Sequence, residues 1–288
     1  MPDSAPPTIG AAIRTGAAQL AASSDTARLD AEVLMAHALG ITRSDLLLRH
    51  LDGQPPASFR SLLERRLAHE PVAYILGSQS FYGLELDVSP AVLIPRGDSE
   101  VLIDAARARF GECPPGRILD LGTGSGALLI AAQSLWSEAE AIGIDRSHAA
   151  CQIAQGNAAR HGKASVVQRD WSAPDWADDL GQFDLILANP PYVEREAELA
   201  PSVRGFEPAE ALFAGADGLD AYRVLMPQLS RLLMPGGAAM IEIGATQADA
   251  VKALAHAADL SAKLHRDLAG RPRALEMAVL PNISLGKA

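Results

Sequence analysis

The sequence predicts an α/β protein, with a doubly wound, parallel, seven-stranded sheet preceded by a helical region and a β-hairpin. Three observations carry this reading. After Pro114-Pro115-Gly116, short apolar runs alternate with turns and helix-spaced stretches. The first seventy residues show helical spacing alone. Between the two regions lies a stretch punctuated by glycines, with the alternation of a hairpin.

In the first region, from residue 5 to about 70, Leu29, Val33, Leu34 and Leu39 recur at helical spacing, as do Leu62, Leu63 and Leu67. Pro55-Pro56 interrupts it, and Ala57 or Ser58 opens the next helix. Arg43, Arg49, Arg60, Arg65, Arg66 and His69 make this segment more basic than the whole chain. A solvated helix face is the simpler explanation and a docking surface the sharper one. From 72 to 95, Tyr74–Gly77 and Phe81–Val88 alternate apolar with polar or small residues, which predicts a β-hairpin. A helix through Glu100, Leu102 and Ile103 follows Ile94-Pro95-Arg96.

The third region supplies the sheet. Strands are expected at Ile118–Leu121, Ala141–Asp145, Ser165–Val167, Phe183–Ala188 and Ala238–Ile243, with two more around Leu264 and Leu275–Leu280. Helices are expected over Leu128–Trp136, Ser147–His161 and Leu219–Met234, the last ended by Pro235-Gly236-Gly237. The final Gly286–Ala288 is expected to fray.

Composition narrows the function classes. The chain has 288 residues, 48% apolar and 21% charged, as in globular proteins. No apolar run approaches the roughly 18 residues of a membrane span. The start, MPDSAPPTIG, lacks the pattern of a secretory signal, so a cytoplasmic location without membrane association is expected. Cys113 and Cys151 form no C-x-x-C pair, and the seven histidines show no ligand spacing, so no metal is expected. The net charge of −10 argues against a nucleic acid substrate, whose phosphates favour a basic surface.

Asp120-Leu121-Gly122-Thr123-Gly124-Ser125-Gly126 lies between the first strand of the sheet and its helix. Its glycines let the backbone turn tightly and approach a ligand, and the helix offers free N–H groups. Gly122-x-Gly124-x-x-Ala127 satisfies the dinucleotide pattern, and Asp145 suits a ribose hydroxyl. The loop therefore leaves a nicotinamide cofactor and S-adenosylmethionine both open. Asp120 favours the second, because its carboxylate attracts a sulfonium and repels a pyrophosphate.

Asn189-Pro190-Pro191-Tyr192 follows the fourth strand, at the sheet edge where ligands bind. The prolines stiffen the turn. The Asn189 side-chain oxygen and the Pro190 carbonyl can then accept both hydrogens of an –NH2 group, aiming its lone pair at a methyl donor. Tyr192 is expected to offer a flat face to a planar group. The rate gain would come from positioning and from stabilising the charge that develops on nitrogen.

At these residues the chain resembles the release-factor glutamine methyltransferases of the HemK/PrmC type. The likeness runs through Asp30-Ala31-Glu32, Glu70–Gly77, Phe81-Tyr82-Gly83, Leu93–Arg96, Asp120–Gly126, Asn189–Tyr192, Gly218–Arg223 and Glu242-Ile243-Gly244. It implies a Rossmann-like class I methyltransferase domain with an N-terminal helical bundle joined by a hairpin linker. The division expected is 1–72 for docking the substrate, 73–96 for the linker and 97–288 for catalysis. The implied reaction transfers a methyl group from S-adenosyl-L-methionine, leaving S-adenosyl-L-homocysteine. The acceptor is the side-chain amide of the Gly-Gly-Gln glutamine in class I peptide-chain release factors, which modulates translation termination. Gly122, Thr123, Gly124, Ser125 and Gly126 would wrap the cofactor, and Asp120, Asp145 and Asn189 would border it. Trp171, after Asp170, would flank the adenine. Asn189, Pro190, Pro191 and Tyr192 would grip the glutamine amide. A monomer is expected.

One departure stands out. Where the family continues Pro-Arg-Pro-Glu-Thr-Glu, this chain has Pro95-Arg96-Gly97-Asp98-Ser99-Glu100, which is expected to loosen the start of the following helix. Arg96 fits an ion pair better than a catalytic role. Competing readings are a glutamine methyltransferase of a large-subunit ribosomal protein, an adenine-amino methyltransferase of nucleic acid, a silent binding module and a nicotinamide dehydrogenase.

Overall fold

A computed structural model describes residues 7–281, so expectations placed on the first six residues and on Gly286–Ala288 fall outside it. The described chain forms two compact units. One comprises the chain through Ser78 together with Leu199–Phe206, and the other Gln79–Glu198 with Glu207 onward.

The first unit is helical. Helix α1 (Ile9–Leu20) begins at Thr8, whose side chain accepts the Ala11 N–H. Helix α2 (Ala27–Leu39) ends at Gly40 in the left-handed region, φ 67°. The short α3 (Arg43–Asp45), capped by Thr42, runs into a π turn over Leu46–His50. Helix α4 (Ser58–Leu67) follows Pro55-Pro56, and α5 (Val72–Leu76) is stopped by Gly77 at φ 78°. Ile13, Leu20, Leu34, Met35, Leu46, Phe59 and Leu63 share one core. Five of the arginines that made this region basic face carboxylates of the same unit: Arg43–Glu32, Arg49–Asp45, Arg60–Glu64, Arg65–Glu70 and Arg66–Asp30. That pairing favours the simpler explanation of the basic stretch.

Helix α5 corrects the hairpin expected from Tyr74 onward. Pro71 precedes the first helical residue, and its carbonyl accepts the N–H groups of Tyr74 and Ile75, both at 3.0 Å. The apolar residues Tyr74, Ile75 and Leu76, which had been expected in a strand, belong to one helical turn instead. The hairpin itself is β1 (Ser78–Phe81) and β2 (Leu84–Asp87). Tyr82 and Gly83 both have positive φ, 49° and 76°, as a two-residue turn between twisted strands requires.

The second unit continues through a 3-10 turn (Gly97–Ser99) into α6 (Glu100–Phe110). At this start the Ser99 N–H bonds to the Arg96 carbonyl at 3.0 Å. Then follow β3 (Arg117–Leu121), α7 (Ala127–Leu135), β4 (Glu140–Asp145), α8 (His148–His161), β5 (Ser165–Gln168) and β6 (Phe183–Ala188). A one-turn helix α9 (Pro201–Arg204) groups with the first unit. The chain returns through α10 (Ala209–Leu212), α11 (Asp220–Leu232), β7 (Leu233–Glu242), α12 (Ala248–Ala257), β8 (Leu260–Arg266) and β9 (Pro272–Val279).

The seven strands lie in the order β5-β4-β3-β6-β7-β9-β8. The five from β5 to β7 are parallel, but β9 pairs antiparallel with both β7 and β8, so the sheet is mixed rather than wholly parallel. Its final hairpin needs no crossover helix, a connection that strand-like periodicity does not reveal. Alternate strand residues feed two cores. Ile118, Leu185, Leu187 and Met240 pack with Leu102, Ile103 and Leu129. Leu119, Leu121, Ile186 and Ile241 pack with Tyr222, Leu225, Leu229 and Val251. Burial on both faces explains why these strands read as continuous apolar runs.

Pro235-Gly236-Gly237 does not separate α11 from the last parallel strand. Leu233 already pairs with Phe183 and Ala238 with Leu185, so the extra residues form a bulge within β7, exposed at Met234, Pro235 and Gly236 and buried at Gly237.

Among the described ion pairs of the first unit, Arg66–Asp30 is the most enclosed, with side chains 11% and 8% exposed. Asp30 also accepts the Ser24 and Thr26 hydroxyls, each at 2.8 Å. Arg66→Ala leaves that carboxylate short of its cation, and a loss of about 3 kcal/mol is expected. Denaturant unfolding followed by helical signal checks this, and an unchanged midpoint would mean that the pair contributes nothing net.

Candidate active site

The strand register builds the site. Leu121 pairs with Ile144 and with Ala188, and Ala188 pairs with Ile241. The next residue on each strand is therefore Gly122, Asp145, Asn189 and Glu242, four neighbours along one rung at the carboxyl edge of the sheet.

At Gly122 the chain turns. The N–H groups of Gly122 and Thr123 both donate to the Ile144 carbonyl at 2.9 Å. Gly122, Gly124 and Gly126 have φ of 72°, 54° and 83°, a region closed to most side chains. Asp145 braces the loop: Oδ2 accepts the Gly124 N–H at 3.0 Å and Oδ1 the Ser147 N–H at 2.9 Å. Burial raises its pKa, and those two bonds oppose the rise. Asn157, fully buried on α8, donates to the Ser125 carbonyl at 2.8 Å and holds the far side of the loop.

Asp120 is 1% exposed. Its Oδ2 accepts the Thr123 hydroxyl at 2.6 Å, while Oδ1 makes no hydrogen bond of ordinary geometry. Burial pushes its pKa from 3.8 up to about 7, against the pull of Thr123. Across the loop, the Trp171 ring lies against Gly122, where a Cβ would stand 2.9 Å from the ring edge. Asp170 accepts both the N–H and the hydroxyl of Ser172, which lowers its pKa.

A cavity of about 350 Å³ opens here. Asp120, Gly122, Thr123, Gly124, Ser125, Asp145, Asp170, Trp171, Asn189 and Pro191 all line it, so most of the residues singled out in the sequence converge. Gly126, Pro190 and Tyr192 are not among the lining residues. Gly126 turns the chain into α7, and Pro190 is buried. Tyr192 corrects the expected stacking face. Its hydroxyl donates to Glu242 Oε1 at 3.2 Å and its ring packs against the core behind the cavity.

Several contributors escaped the sequence reading. Glu242 is 1% exposed, and burial first of all raises its pKa from 4.5 to about 7, with Ser99, Arg273 and Tyr192 opposing. Gln247 donates to the Tyr192 and Gly218 carbonyls at 3.0 and 3.2 Å and accepts the Gly244 N–H at 3.0 Å, which pins the end of the tetrapeptide. Glu207 pairs with Arg96 and accepts the Ile94 N–H, so Arg96 is indeed an ion-pair residue. Gln247 and Glu207 act across long sequence separations, and no local pattern marks them.

Comparison with known proteins places this geometry. Residues 11–77 match the PrmC N-terminal domain model, and residues 114–278 match a methyltransferase domain model. The release factor glutamine methyltransferase of Geobacter sulfurreducens is 41% identical over 79% of this chain and 80% of its own. That of Moorella thermoacetica is 42% identical, covering 85% and 89%. This chain belongs to the release factor glutamine methyltransferases. It is an α/β methyltransferase, which sets aside the dehydrogenase reading. The fold is shared more widely: the hMettl16 catalytic domain, solved with the MAT2A 3'UTR hairpin 6, is 15% identical at a TM-score of 0.53, covering 70% of this chain and 77% of that one.

The buried carboxyls give the methyltransferase a pH signature. A carboxyl whose folded pKa lies above its unfolded one keeps its proton in the fold. Its stabilisation is complete below the unfolded pKa and is lost as pH climbs to the folded value, here from about 4 to about 7. Asp120→Asn removes one such contribution. The fall in unfolding midpoint between about pH 5 and about pH 7.5 should then become shallower. An unaltered slope would show that Asp120 is already ionised in the fold.

Proposed function

We propose that this methyltransferase methylates the side-chain amide N5 of the glutamine in the Gly-Gly-Gln motif of class I peptide-chain release factors. The methyl donor is S-adenosyl-L-methionine, and the enzyme acts as a cytoplasmic monomer. The observation that carries the reading is the shared rung: Asn189, held by two prolines, stands beside the glycine loop and Asp145 at the rim of one cavity. That relatives about 40% identical are release factor glutamine methyltransferases supports the choice of release factors as acceptors.

The residues present fit the cofactor. Gly122 has no Cβ, which lets the Trp171 ring edge close against the glycine loop, and both residues line the cavity in which an adenine can lie. Asp145 retains acceptor capacity for ribose hydroxyls. Asp120 has a buried oxygen without a partner, suited to a cationic neighbour. When bound, S-adenosylmethionine supplies an electrophilic methyl group, and S-adenosylhomocysteine is left.

The protein's own task is to hold a poor nucleophile still. The Asn189 Oδ1 and the Pro190 carbonyl accept the two amide hydrogens of the glutamine, so its lone pair turns toward the donor. As nitrogen gains positive charge, these same oxygens stabilise it. Tyr192 anchors the turn through Glu242 and Gln247 rather than stacking on the substrate. The helical N-terminal segment, residues 1–72, serves to dock the release factor, residues 73–96 link it, and residues 97–288 carry the chemistry.

Mass spectrometry tests the reading: the purified protein and S-adenosylmethionine are incubated with a class I release factor and, separately, with a large-subunit ribosomal protein. One methyl on the Gly-Gly-Gln glutamine alone is expected, and methyl on the ribosomal protein alone would move the substrate assignment there. Asn189→Ala should retain the fold and much of the cofactor affinity while turnover falls at least about 100-fold; undiminished turnover would remove Asn189 from the mechanism. Gly122→Ala should displace Trp171 and weaken cofactor binding by about tenfold or more in calorimetry, whereas wild-type affinity would mean that the ring is free to move aside.

A further inference from the structure

The connection from β5 to β6 carries Trp171, and beside that residue it is fastened to α11 by the half-buried side chain of Gln228. Gln228 Nε2 donates to the Trp171 carbonyl at 3.1 Å and to the Val224 carbonyl of its own helix at 2.8 Å. Its Oε1 accepts the Trp176 indole N–H at 2.6 Å and the Arg231 guanidinium at 3.3 Å. Trp176 is 5% exposed and packs in the core with Leu225 and Leu229. Arg169 draws the same connection together, donating to the Trp176 carbonyl and to Asp179, both at 2.7 Å.

Both ends of the Gln228 amide are engaged, and the partners dictate which end goes where. An indole N–H can only donate, and a main-chain carbonyl can only accept. Oε1 must therefore face Trp176, and Nε2 must face Trp171 and Val224. A buried indole N–H needs such a partner. The seating of Trp176 in the core thus orients Gln228, and Gln228 in turn fixes the Trp171 main chain. Asp220, Ala221 and Val224, which line the cavity, lie on the preceding turns of the same helix face. One face of α11 sets both a wall of the cavity and the height at which the Trp171 ring meets Gly122.

We propose that Gln228 is a positioning residue that holds Trp171 against the glycine loop, so that the cofactor pocket is formed before the cofactor arrives. This rests on the adenine-flanking role given to Trp171 above. Gln228 is not among the residues that line the cavity, and it acts through the Trp171 main chain. Gln228→Leu removes every bond of the amide. Gln228→Glu keeps an acceptor for Trp176 and Arg231 but has no N–H for the Trp171 carbonyl. The second variant therefore separates the clamp on Trp171 from the anchoring of Trp176.

Two measurements on the purified protein test this, and neither needs a methyl acceptor. Without cofactor, hydrogen exchange should quicken by at least about fivefold in both variants where the Ser172 and Ala173 N–H groups bond to Asp170. In calorimetry with S-adenosyl-L-homocysteine, both variants should bind about three- to tenfold more weakly, the worth of one ordinary hydrogen bond. Gln228→Glu should cost nothing further in a Trp171→Ala background. Wild-type exchange in Gln228→Glu overturns the proposal. So does wild-type affinity in that variant when Trp171→Ala is weakened, or an equal loss with Trp171 already removed. Quickened exchange, with Trp171→Ala binding as wild type does, upholds the clamp and sinks only the adenine-flanking reading.

Discussion

The site depends on one constraint, the parallel register of β3, β4, β6 and β7. Because Leu121, Ile144, Ala188 and Ile241 are aligned, the chain leaves the sheet at the same height on neighbouring strands. A slip of one residue in any strand would turn its next side chain to the opposite face and remove it from the cavity. The alternation of core residues on both faces holds that register, so apolar packing tens of residues away sets the position of Asn189 against Gly122. The chemistry sits on backbone fixed by the sheet, not on a free loop.

The loops that leave this edge are held by side chains bonding to backbone. Asp145 takes two N–H groups, Asn157 supports Ser125, Gln247 gathers Tyr192, Gly218 and Gly244, and Glu207 holds Ile94. Each is a polar group buried or half-buried with its bonds made, the condition under which such groups stiffen a structure rather than weaken it. Asp120 and Glu242 are the exceptions. Each keeps one oxygen without an ordinary bond, and their raised pKa values express the cost of charging them in that setting.

Much of this was legible in the sequence because it is local. The glycine loop, the strand ends at Asp145 and Ala188 and the proline-stiffened turn all declare themselves within a few residues. Tertiary context decided the rest. Val72–Leu76 became a helix because Pro71 supplied its first acceptor, and Pro235-Gly236-Gly237 became a bulge because Phe183 had already paired with Leu233. Tyr192 was drawn from the cavity by a carboxylate fifty residues away. Glu242 and Ser99 stood within recognisable motifs, yet their contact with the tetrapeptide arises only when the sheet and α6 come together.

The helical unit is discontinuous in the chain, since Leu199–Phe206 belongs with the segment that ends at Ser78. A ribosome makes the chain in one direction, so the helices α1–α5 emerge well over a hundred residues before their last component. By then β3, β4, β5 and β6 have been synthesised, while β7, β8 and β9 have not. Completion of the N-terminal unit is thus timed by the sheet unit that is inserted into it, and a nascent chain must carry the Asn189 turn before its first unit can close.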